Sequence, residues 1–370
     1  MKDELAEALL AKVMHWGAAE VAAQRAVLQD LARYKYDEYQ QFAPGQRFIE
    51  SLALWLRQFG GQEARTAAYK WVRHRLIFLS DAEMNHLVTS TFPTLIRPWL
   101  LQKAADETGL RVTCVKALVG SEAYRLRLRQ TLFLGLSDGA HIDQFRRANP
   151  SLSNEQIWHA YDFSEEKAKD FRKKLIKDLE KRLGRLPTEV EARYRAVCLL
   201  DDFTGSGKTY LREENCKPDG KIAKIWAKLK DKSSEFSTFV DQDNVELLII
   251  LYVAATQAVD YLEAELPKQL GLPKEVLQVA HRLPNSCRVE CPDDEEFLKL
   301  VADEHYFDTS VDDEHAAVGG DSMRYGFSNC RLPVVLSHNT PNNSLFLLWA
   351  GPEHKIRGLF PRISRHRRFV

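Results

Sequence analysis

Apolar residues recur at helical spacing through the first hundred residues of the chain. Leu5, Leu9, Val13 and Trp16 are three or four positions apart, which places them on one face of a helix. This part of the sequence shows no cluster of titratable residues that would suggest chemistry. The pattern therefore predicts an all-α N-terminal domain over residues 1–115, with packing or partner binding as its role.

Short apolar runs alternate with helical patterns after about Gly109. Strands that alternate with helices favour a mostly parallel sheet. The predicted fold class is therefore α/β, with a parallel-sheet domain over residues 116–370 that follows the all-α domain. The predicted strands are Thr131–Leu136, Ala196–Leu200, Leu247–Ala254 and Leu332–Leu336, with Leu277–Ala280 as a weaker candidate.

Positive and negative charges balance over the whole chain, with 52 Lys and Arg residues against 52 Asp and Glu residues. This balance excludes a polycationic or strongly acidic design, but it leaves room for local basic segments. Nine Lys and Arg residues lie between Lys167 and Arg185, interleaved with Asp170, Asp178 and Glu180. A solvated helix face is the ordinary interpretation of such a run, and nucleic-acid contact is the alternative.

The C-terminal segment from Lys355 to Val370 holds six Lys and Arg residues and no acid. A disordered, solubilising tail is the usual explanation for such an end. Clustered arginines can also grip nucleic acid or a polyphosphate. Because the whole chain is neutral, this local excess is a candidate contact for a polyanion.

The sequence shows no sign of export or of membrane insertion. Its longest apolar run, Leu247–Ala255, has nine residues, whereas a transmembrane helix needs about 18 or more. The N-terminus carries early acids and no apolar signal-peptide core, and six cysteines are too few for a disulfide scaffold. We therefore predict a cytoplasmic protein without a membrane partner.

One stretch combines two carboxylates with a loop of small residues. The apolar run Ala196–Leu200 ends in Asp201 and Asp202, and the loop continues through Thr204, Gly205, Ser206, Gly207, Lys208 and Thr209. Two carboxylates at a strand end can accept hydrogen bonds from vicinal hydroxyls or approach Mg²⁺, and we expect them to face a cleft. We expect the loop to open a helix whose backbone N–H groups cradle phosphate. Together these features predict a receptor for ribose 5-phosphate.

A P-loop is the competing interpretation of the same loop. Gly207, Lys208 and Thr209 fit the end of the P-loop motif, but Asp202 stands where the first glycine of that motif belongs. A P-loop enzyme also needs a second apolar strand that ends in Asp to hold Mg²⁺, and the later apolar runs do not end that way. A divergent P-loop NTPase therefore ranks behind the ribose-phosphate receptor.

The stretch resembles the phosphoribosyl-pyrophosphate signature of type I phosphoribosyltransferases, in which an apolar strand, two acids and a Thr/Gly loop close on Gly-x-Thr. The resemblance implies that Asp201 and Asp202 are catalytic-site acids that hold the ribose hydroxyls, and that Thr204–Thr209 bind the 5-phosphate. It also implies Mg²⁺ bound through the pyrophosphate of the ligand, with Asp201 and Asp202 as candidate direct ligands. Gly205 and Ser206 stand where the family often has Thr-Thr, and Ser206 keeps one hydroxyl for the phosphate.

A wider likeness extends over about residues 130–365. With the downstream segment Ser337–Leu345 and Trp349, the chain looks like phosphoribosyltransferase-like proteins of bacterial conflict systems. Such proteins are encoded in predicted anti-phage loci, some of them beside retron reverse transcriptases. The resemblance implies an effector in anti-phage defence, with a reverse transcriptase–RNA complex or another defence subunit as its partner.

Three further residues are candidate ligand contacts. Asp138 sits in the turn after the first predicted core strand, where these transferases often place a pyrophosphate-binding loop; an ordinary turn is the alternative. His338 and Asn339 follow the last predicted strand and offer donors and acceptors for a nucleobase. The alternative for them is an Asn-rich turn that satisfies its own backbone.

The resemblance favours an enzyme that acts at the anomeric carbon of a 5-phosphoribosyl group, by glycosyl transfer or by N-glycosidic cleavage of a nucleotide. Its ligand would be phosphoribosyl pyrophosphate or a nucleotide. A non-catalytic, nucleotide-sensing or complex-forming subunit of a defence assembly is the first alternative. The P-loop NTPase is the second.

Overall fold

The structure is a computed structural model, which describes residues 3–160, 165–320 and 322–362. Its α-helices are, in chain order, α1 (Asp3–Met14), α2 (Ala18–Tyr34), α3 (Phe48–Arg57), α4 (Gln62–Arg75), α5 (Asp81–Thr91), α6 (Arg97–Thr108), α7 (Val115–Gly120), α8 (Glu122–Arg129), α9 (Ile142–Ala148), α10 (Glu165–Leu183), α11 (Lys221–Lys230), α12 (Thr256–Leu270), α13 (Glu295–Ala302), α14 (Glu314–Gly319) and α15 (Phe346–Trp349). Its strands are β1 (Ile77–Leu79), β2 (Thr131–Gly135), β3 (Ile157–His159), β4 (Ala196–Thr204), β5 (Arg212–Glu214), β6 (Lys217–Asp219), β7 (Glu246–Ala255), β8 (Leu277–Leu283) and β9 (Val334–Leu336). Apart from β1, the regular structure before residue 130 is helical, as the pattern predicts.

Five strands form a parallel sheet in the order β3-β2-β4-β7-β8, which confirms the predicted α/β class. One row of paired residues crosses the whole sheet: Trp158, Leu134, Leu199, Ile249 and Leu277. The central strands β4 and β7 are almost entirely buried, because the helices of an α/β fold cover both faces of a parallel sheet. Their continuous apolar runs are the sequence signature of that burial.

Two strand predictions differ from the structure. The run at Leu332–Leu336 contributes β9, which pairs with β1 in a separate two-stranded parallel sheet instead of joining the main one. An apolar run indicates that a strand is buried, but it does not indicate which other strand it pairs with. β3, which sequence reasoning missed, has three residues, too few for a recognisable pattern.

The chain forms two compact units. One contains the described residues of 1–84 and 284–370, and the other contains 85–283. In the first unit, the indole N–H of Trp55 donates to the Leu347 carbonyl at 2.8 Å and the Ser51 hydroxyl donates to the Leu359 carbonyl at 2.7 Å. The C-terminal residues thus complete the core of the N-terminal helices. This division differs from the predicted boundary between 1–115 and 116–370, because long-range packing of the chain end is not visible in local sequence.

The basic C-terminal segment is partly packed into this first unit. Leu359 and Phe360 are fully buried, and the Arg362 guanidinium donates to the Thr340 carbonyl at 3.2 Å. Residues 355–362 therefore belong to this packed unit and are not a free tail. Arg365, Arg367 and Arg368 lie outside the described residues.

Among the helices of the described ranges, none combines the length and the apolar character that crossing a bilayer requires.

Candidate functional site

The site lies at the carboxyl ends of β2 and β4. From β2 the chain continues to β3 on one side, whereas from β4 it continues to β7 on the other side. Such a reversal opens a crevice between the two neighbouring strands, which is where α/β sheets bind ligands. Ser137, Asp138 and Gly139 follow β2, and Asp201 and Asp202 end β4. The topology therefore brings the predicted acids and the Asp138 turn to the same crevice.

Asp201 is fully buried and its carboxylate is surrounded by internal donors. The hydroxyl of Tyr210 and the ammonium of Lys221 each donate to Oδ2 at 2.7 Å, and the Ser137 hydroxyl donates to Oδ1. Burial and the adjacent Asp202 carboxylate raise the pKa of Asp201, and Lys221 opposes that shift. Contrary to expectation, Asp201 does not face a cleft. Its side chain is buried among Ser137, Tyr210 and Lys221, the three residues that donate to its carboxylate.

Asp202 is the partly exposed member of the pair. Its Oδ1 accepts the backbone N–H of Phe203 at 2.7 Å. Gly139 lies directly beside it: a Cβ atom at Gly139 would be 2.2 Å from Asp202 Oδ2. A side chain at position 139 would therefore push the carboxylate out of place, so the turn after β2 needs glycine here. Asp138, the predicted pyrophosphate contact, is exposed at the start of that turn.

The loop after Asp202 is held by its own hydroxyls. The Gly207 N–H donates to Thr204 Oγ1 at 3.0 Å, and the Lys208 N–H donates to Ser206 Oγ at 3.3 Å. The Gln257 side chain, at the start of α12, donates to the Gly205 carbonyl at 3.1 Å. A hydroxyl that accepts one hydrogen bond can still donate another. The loop is thus a preformed, hydroxyl-lined turn, at which an anionic group could be received.

The expected helix does not begin at this loop. The N–H groups of Tyr210 and Leu211 both donate to the Gly207 carbonyl, which closes a single turn, and the β5–β6 hairpin follows before α11 starts at Lys221. The Tyr210 hydroxyl at the end of this turn lies 2.7 Å from Asp201 Oδ2 and 3.1 Å from the Phe203 carbonyl. A phosphate at the loop would therefore be held by hydroxyls and turn N–H groups, without a helix N-terminus.

The same observation removes support from the P-loop alternative. A P-loop lysine and its following hydroxyl open a helix that packs behind the phosphates, but Lys208 and Thr209 lie in a turn that leads into a hairpin. β7 ends at Ala255 without a carboxylate. Neither element required for P-loop chemistry is present at this site in the described chain.

Lys221 and Tyr210 are site residues that sequence reasoning missed. Lys221 is the first residue of α11, its side chain is 31% exposed, and its ammonium lies 5.0 Å from the centre of the Tyr210 ring. Lys221 lies twenty positions after Asp201, beyond any recognisable motif. Only the return of the chain through the β5–β6 hairpin places it at the acid pair.

His338 and Asn339 lie in the other compact unit. The Asn339 side chain accepts the Thr340 N–H at 3.0 Å, and the Asn339 carbonyl accepts the Leu336 N–H at 3.2 Å. These bonds are those of a turn that satisfies its own backbone. The structure thus groups Asp138, the acid pair and the Thr204–Thr209 loop in one unit, and it places His338 and Asn339 in the other.

The described residues do not build a dedicated magnesium site. They contain no group of three or more His, Cys, Asp or Glu side chains arranged to hold a metal ion. Asp201 does not fit as a direct ligand, because Ser137, Tyr210 and Lys221 already occupy its oxygens. Asp202 supplies one carboxylate, whereas Mg²⁺ favours six oxygen ligands, several of them from phosphates and water.

The chain thus has a parallel α/β sheet with an acid pair and a hydroxyl-lined turn at its switch point, the place where such sheets bind ligands. The chain belongs to the PRTase-CE family, whose model matches residues 52–362. The protein is therefore phosphoribosyltransferase-like. Comparison with curated proteins gives no match, and neither does comparison with solved structures.

Proposed function

We propose that the protein binds a 5-phosphoribosyl ligand, phosphoribosyl pyrophosphate or a nucleotide, in the crevice between β2 and β4. One observation carries the proposal. The partly exposed carboxylate of Asp202 lies against Gly139 on one side and is followed by the hydroxyl-lined turn on the other. A carboxylate between two backbone segments that can approach phosphate groups closely supports this proposal.

Each part of the site has a role in this proposal. Asp202 accepts hydrogen bonds from the ribose hydroxyls, and Thr204–Thr209 receive the 5-phosphate. The Asp138–Gly139 turn lies where the pyrophosphate would extend, and magnesium would enter with that group. Asp201 is a positioning residue, because it fixes Tyr210 and Lys221 at the crevice. Glycosyl transfer or N-glycosidic cleavage would then depend on holding the anomeric carbon next to fixed charges.

Titration calorimetry with phosphoribosyl pyrophosphate tests the site. We expect the Asp202→Asn variant to bind at least tenfold more weakly than the unmodified protein, because a charged acceptor is replaced by a neutral one. Asp243→Asn is the matched control, since Asp243 is an exposed acid of the same unit paired only with exposed Lys232. Equal affinity of the Asp202 variant and the unmodified protein would show that the site is misassigned.

One observation favours the alternative of a non-catalytic, nucleotide-sensing subunit. Three internal donors engage the fully buried Asp201, so of the two acids only Asp202 has exposed surface at which a ligand could make contact. The two functions differ in turnover. Pyrophosphate or free base released from bound ligand, and lost in Asp202→Asn, supports the enzyme; tight binding without any release supports the sensor.

For the cellular role we propose anti-phage defence, in complex with a reverse transcriptase–RNA assembly or another defence subunit. Support for this role comes from the resemblance of the site and of the segment Ser337–Leu345 to conflict-system proteins. Cells that carry the unmodified system should lose nucleotide or phosphoribosyl pools on infection, whereas cells with Asp202→Asn should not. Intact defence with unchanged pools in both strains would exclude a nucleotide-consuming effector.

A further inference from the structure

Helix α10 carries a row of lysines on the side that faces solvent. Its inner side packs into the core through Ala168, Phe171, Leu175 and Leu179, all of them buried. Lys169, Lys173, Lys177 and Lys181 are all exposed. At about 100° per residue, this second set lies on the opposite side of the helix. We call these four residues the lysine stripe.

The stripe differs from Arg172 and Lys174 of α10 in having no partner among the described residues. Lys174 is paired with Asp170 at 2.8 Å and with Glu155 at 3.1 Å, and Arg172 is paired with Glu189. Within the described ranges, none of the four stripe lysines forms an ion pair or a side-chain hydrogen bond. Solvated faces usually interleave pairs of opposite charge at i,i+4 spacing. Here the pairing is confined to the flanks of the helix.

The acids nearest to the stripe reduce its charge without cancelling it. Glu166, Asp170 and Glu180 are exposed on the same side of the helix as the stripe, and Asp170 is paired with Lys174. The four stripe lysines and Lys174 thus stand against three acids, a local excess of two positive charges. Because the whole chain is neutral, attraction of an anion to this surface would come from the local excess and not from net charge.

We propose that the lysine stripe binds the phosphate backbone of a nucleic acid. A helix rises about 1.5 Å per residue, so successive stripe lysines are about 6 Å apart and the first and last about 18 Å apart. A nucleotide is too short to reach more than one or two of them. A nucleic acid presents a phosphate charge about every 1.7 Å of duplex axis, so one segment can contact all four.

The chemistry of the stripe indicates binding without sequence preference. Lysine ammonium groups act as point charges on phosphate, whereas base readout uses planar, bidentate side chains. Four such contacts give a salt slope of about −3.6 on duplex and about −2.8 on single strands. Affinity should therefore fall about 150-fold on duplex, or about 50-fold on a single strand, between 50 and 200 mM salt.

Fluorescence anisotropy of the full chain tests the proposal, with a labelled RNA oligonucleotide and a labelled DNA duplex of equal length as probes. In the test variant the four stripe lysines are changed to Gln, and circular dichroism checks that it remains folded. The matched control changes four exposed lysines without partners elsewhere on the chain to Gln: Lys12, Lys70, Lys116 and Lys274. Both variants lose the same net charge, so they separate a local contact from a general charge effect.

We expect the stripe variant to lose most of its affinity at 50 mM salt and to show an almost flat salt dependence, while the control variant behaves as the unmodified protein. A Lys173→Gln, Lys177→Gln double variant should lose about half of the slope. Equal losses in the stripe and control variants would overturn the proposal, and so would salt-dependent binding that the stripe variant retains. Binding of anionic lipid vesicles through the stripe, without binding of either nucleic acid, would also overturn it.

Discussion

The Lys221 ammonium donates to Oδ2 of Asp201 over 2.7 Å and so ties the first residue of α11 to the end of β4. The two acids of the motif therefore have different tasks. Asp201 is an internal anchor with no exposed surface, and Asp202 is the acid that reaches the crevice. Adjacent residues of a strand point to opposite sides of the sheet, so only one of them can face a given crevice directly.

The division of tasks predicts opposite consequences for two Asp→Asn substitutions. Asp201→Asn should lower the free energy of unfolding by about 2 kcal/mol, because donors meet both oxygens of the carboxylate and the NH2 group of Asn would leave at least one of these buried donors without an acceptor. Asp202→Asn should change it by less than about 0.5 kcal/mol, as expected for a partly exposed group. Urea denaturation followed by tryptophan fluorescence measures both. Equal destabilisation by the two substitutions would contradict the assignment of Asp201 as the anchor.

Gly139→Ala should disturb ligand binding through Asp202. The new Cβ atom would lie 2.2 Å from Asp202 Oδ2, so the carboxylate must move, and affinity for phosphoribosyl pyrophosphate should fall at least tenfold. Gly120→Ala is the control, because a Cβ atom at Gly120 meets nothing within 4 Å. If calorimetry gives the same affinity for both variants, Asp202 does not hold the ligand in its present position.

Gly207→Ala tests how tightly the turn after β4 is packed. Gly207 has φ +78°, and a Cβ atom there would lie 2.8 Å from the Tyr261 ring and 3.1 Å from the Ala258 carbonyl. Gly109 also has positive φ, at +71°, but it faces open space. Gly109→Ala should cost about 1 kcal/mol of backbone strain, and Gly207→Ala should cost clearly more. Similar urea midpoints for the two variants would mean that the turn can shift away from Tyr261 and Ala258 at little cost in free energy of unfolding.

The raised pKa of Asp201 predicts a specific pH dependence of stability. Burial and Asp202 make the folded protein hold the Asp201 proton at a pH where the unfolded chain, with an ordinary value of 3.8, has lost it. The folded state then binds more protons, so this contribution to stability is present in acid and is lost as pH rises through the folded pKa. Relative to Asp201→Asn, the unmodified protein should therefore become more stable as the pH falls from neutral towards 4.

Glu191 gives a control of opposite sign. Hydrogen bonds from Arg185 and from the Thr188 backbone lower the pKa of Glu191 to about 2. Its contribution is present above the ordinary value of 4.5 and is lost as the pH falls from there towards about 2. Relative to Glu191→Gln, the unmodified protein should become less stable in acid. Thermal midpoints of the three proteins at several pH values measure both trends, and trends of the same sign would contradict the Asp201 assignment.

The sequence by itself determined the class of fold and indicated the candidate site. Continuous apolar runs identified β2, β4 and β7 because strands buried on both faces must be apolar throughout, whereas the half-exposed edge strand β8 gave only a weaker pattern. Asp201 and Asp202 stood out because two carboxylates rarely end such a run. The resemblance to phosphoribosyltransferases rests on the same residues. It could be seen without a structure because the residues of the motif are consecutive in the sequence.

Tertiary structure alone decided what each of those residues does. Alternation along β4 separates Asp201 from Asp202, but which of the two is buried depends on Ser137, Tyr210 and Lys221, which arrive from three other segments. The pairing of β9 with β1, and the return of the C-terminal residues to the N-terminal core, are likewise long-range contacts. Local periodicity reports whether a residue is buried, whereas the partner that buries it is fixed only when distant segments pack together.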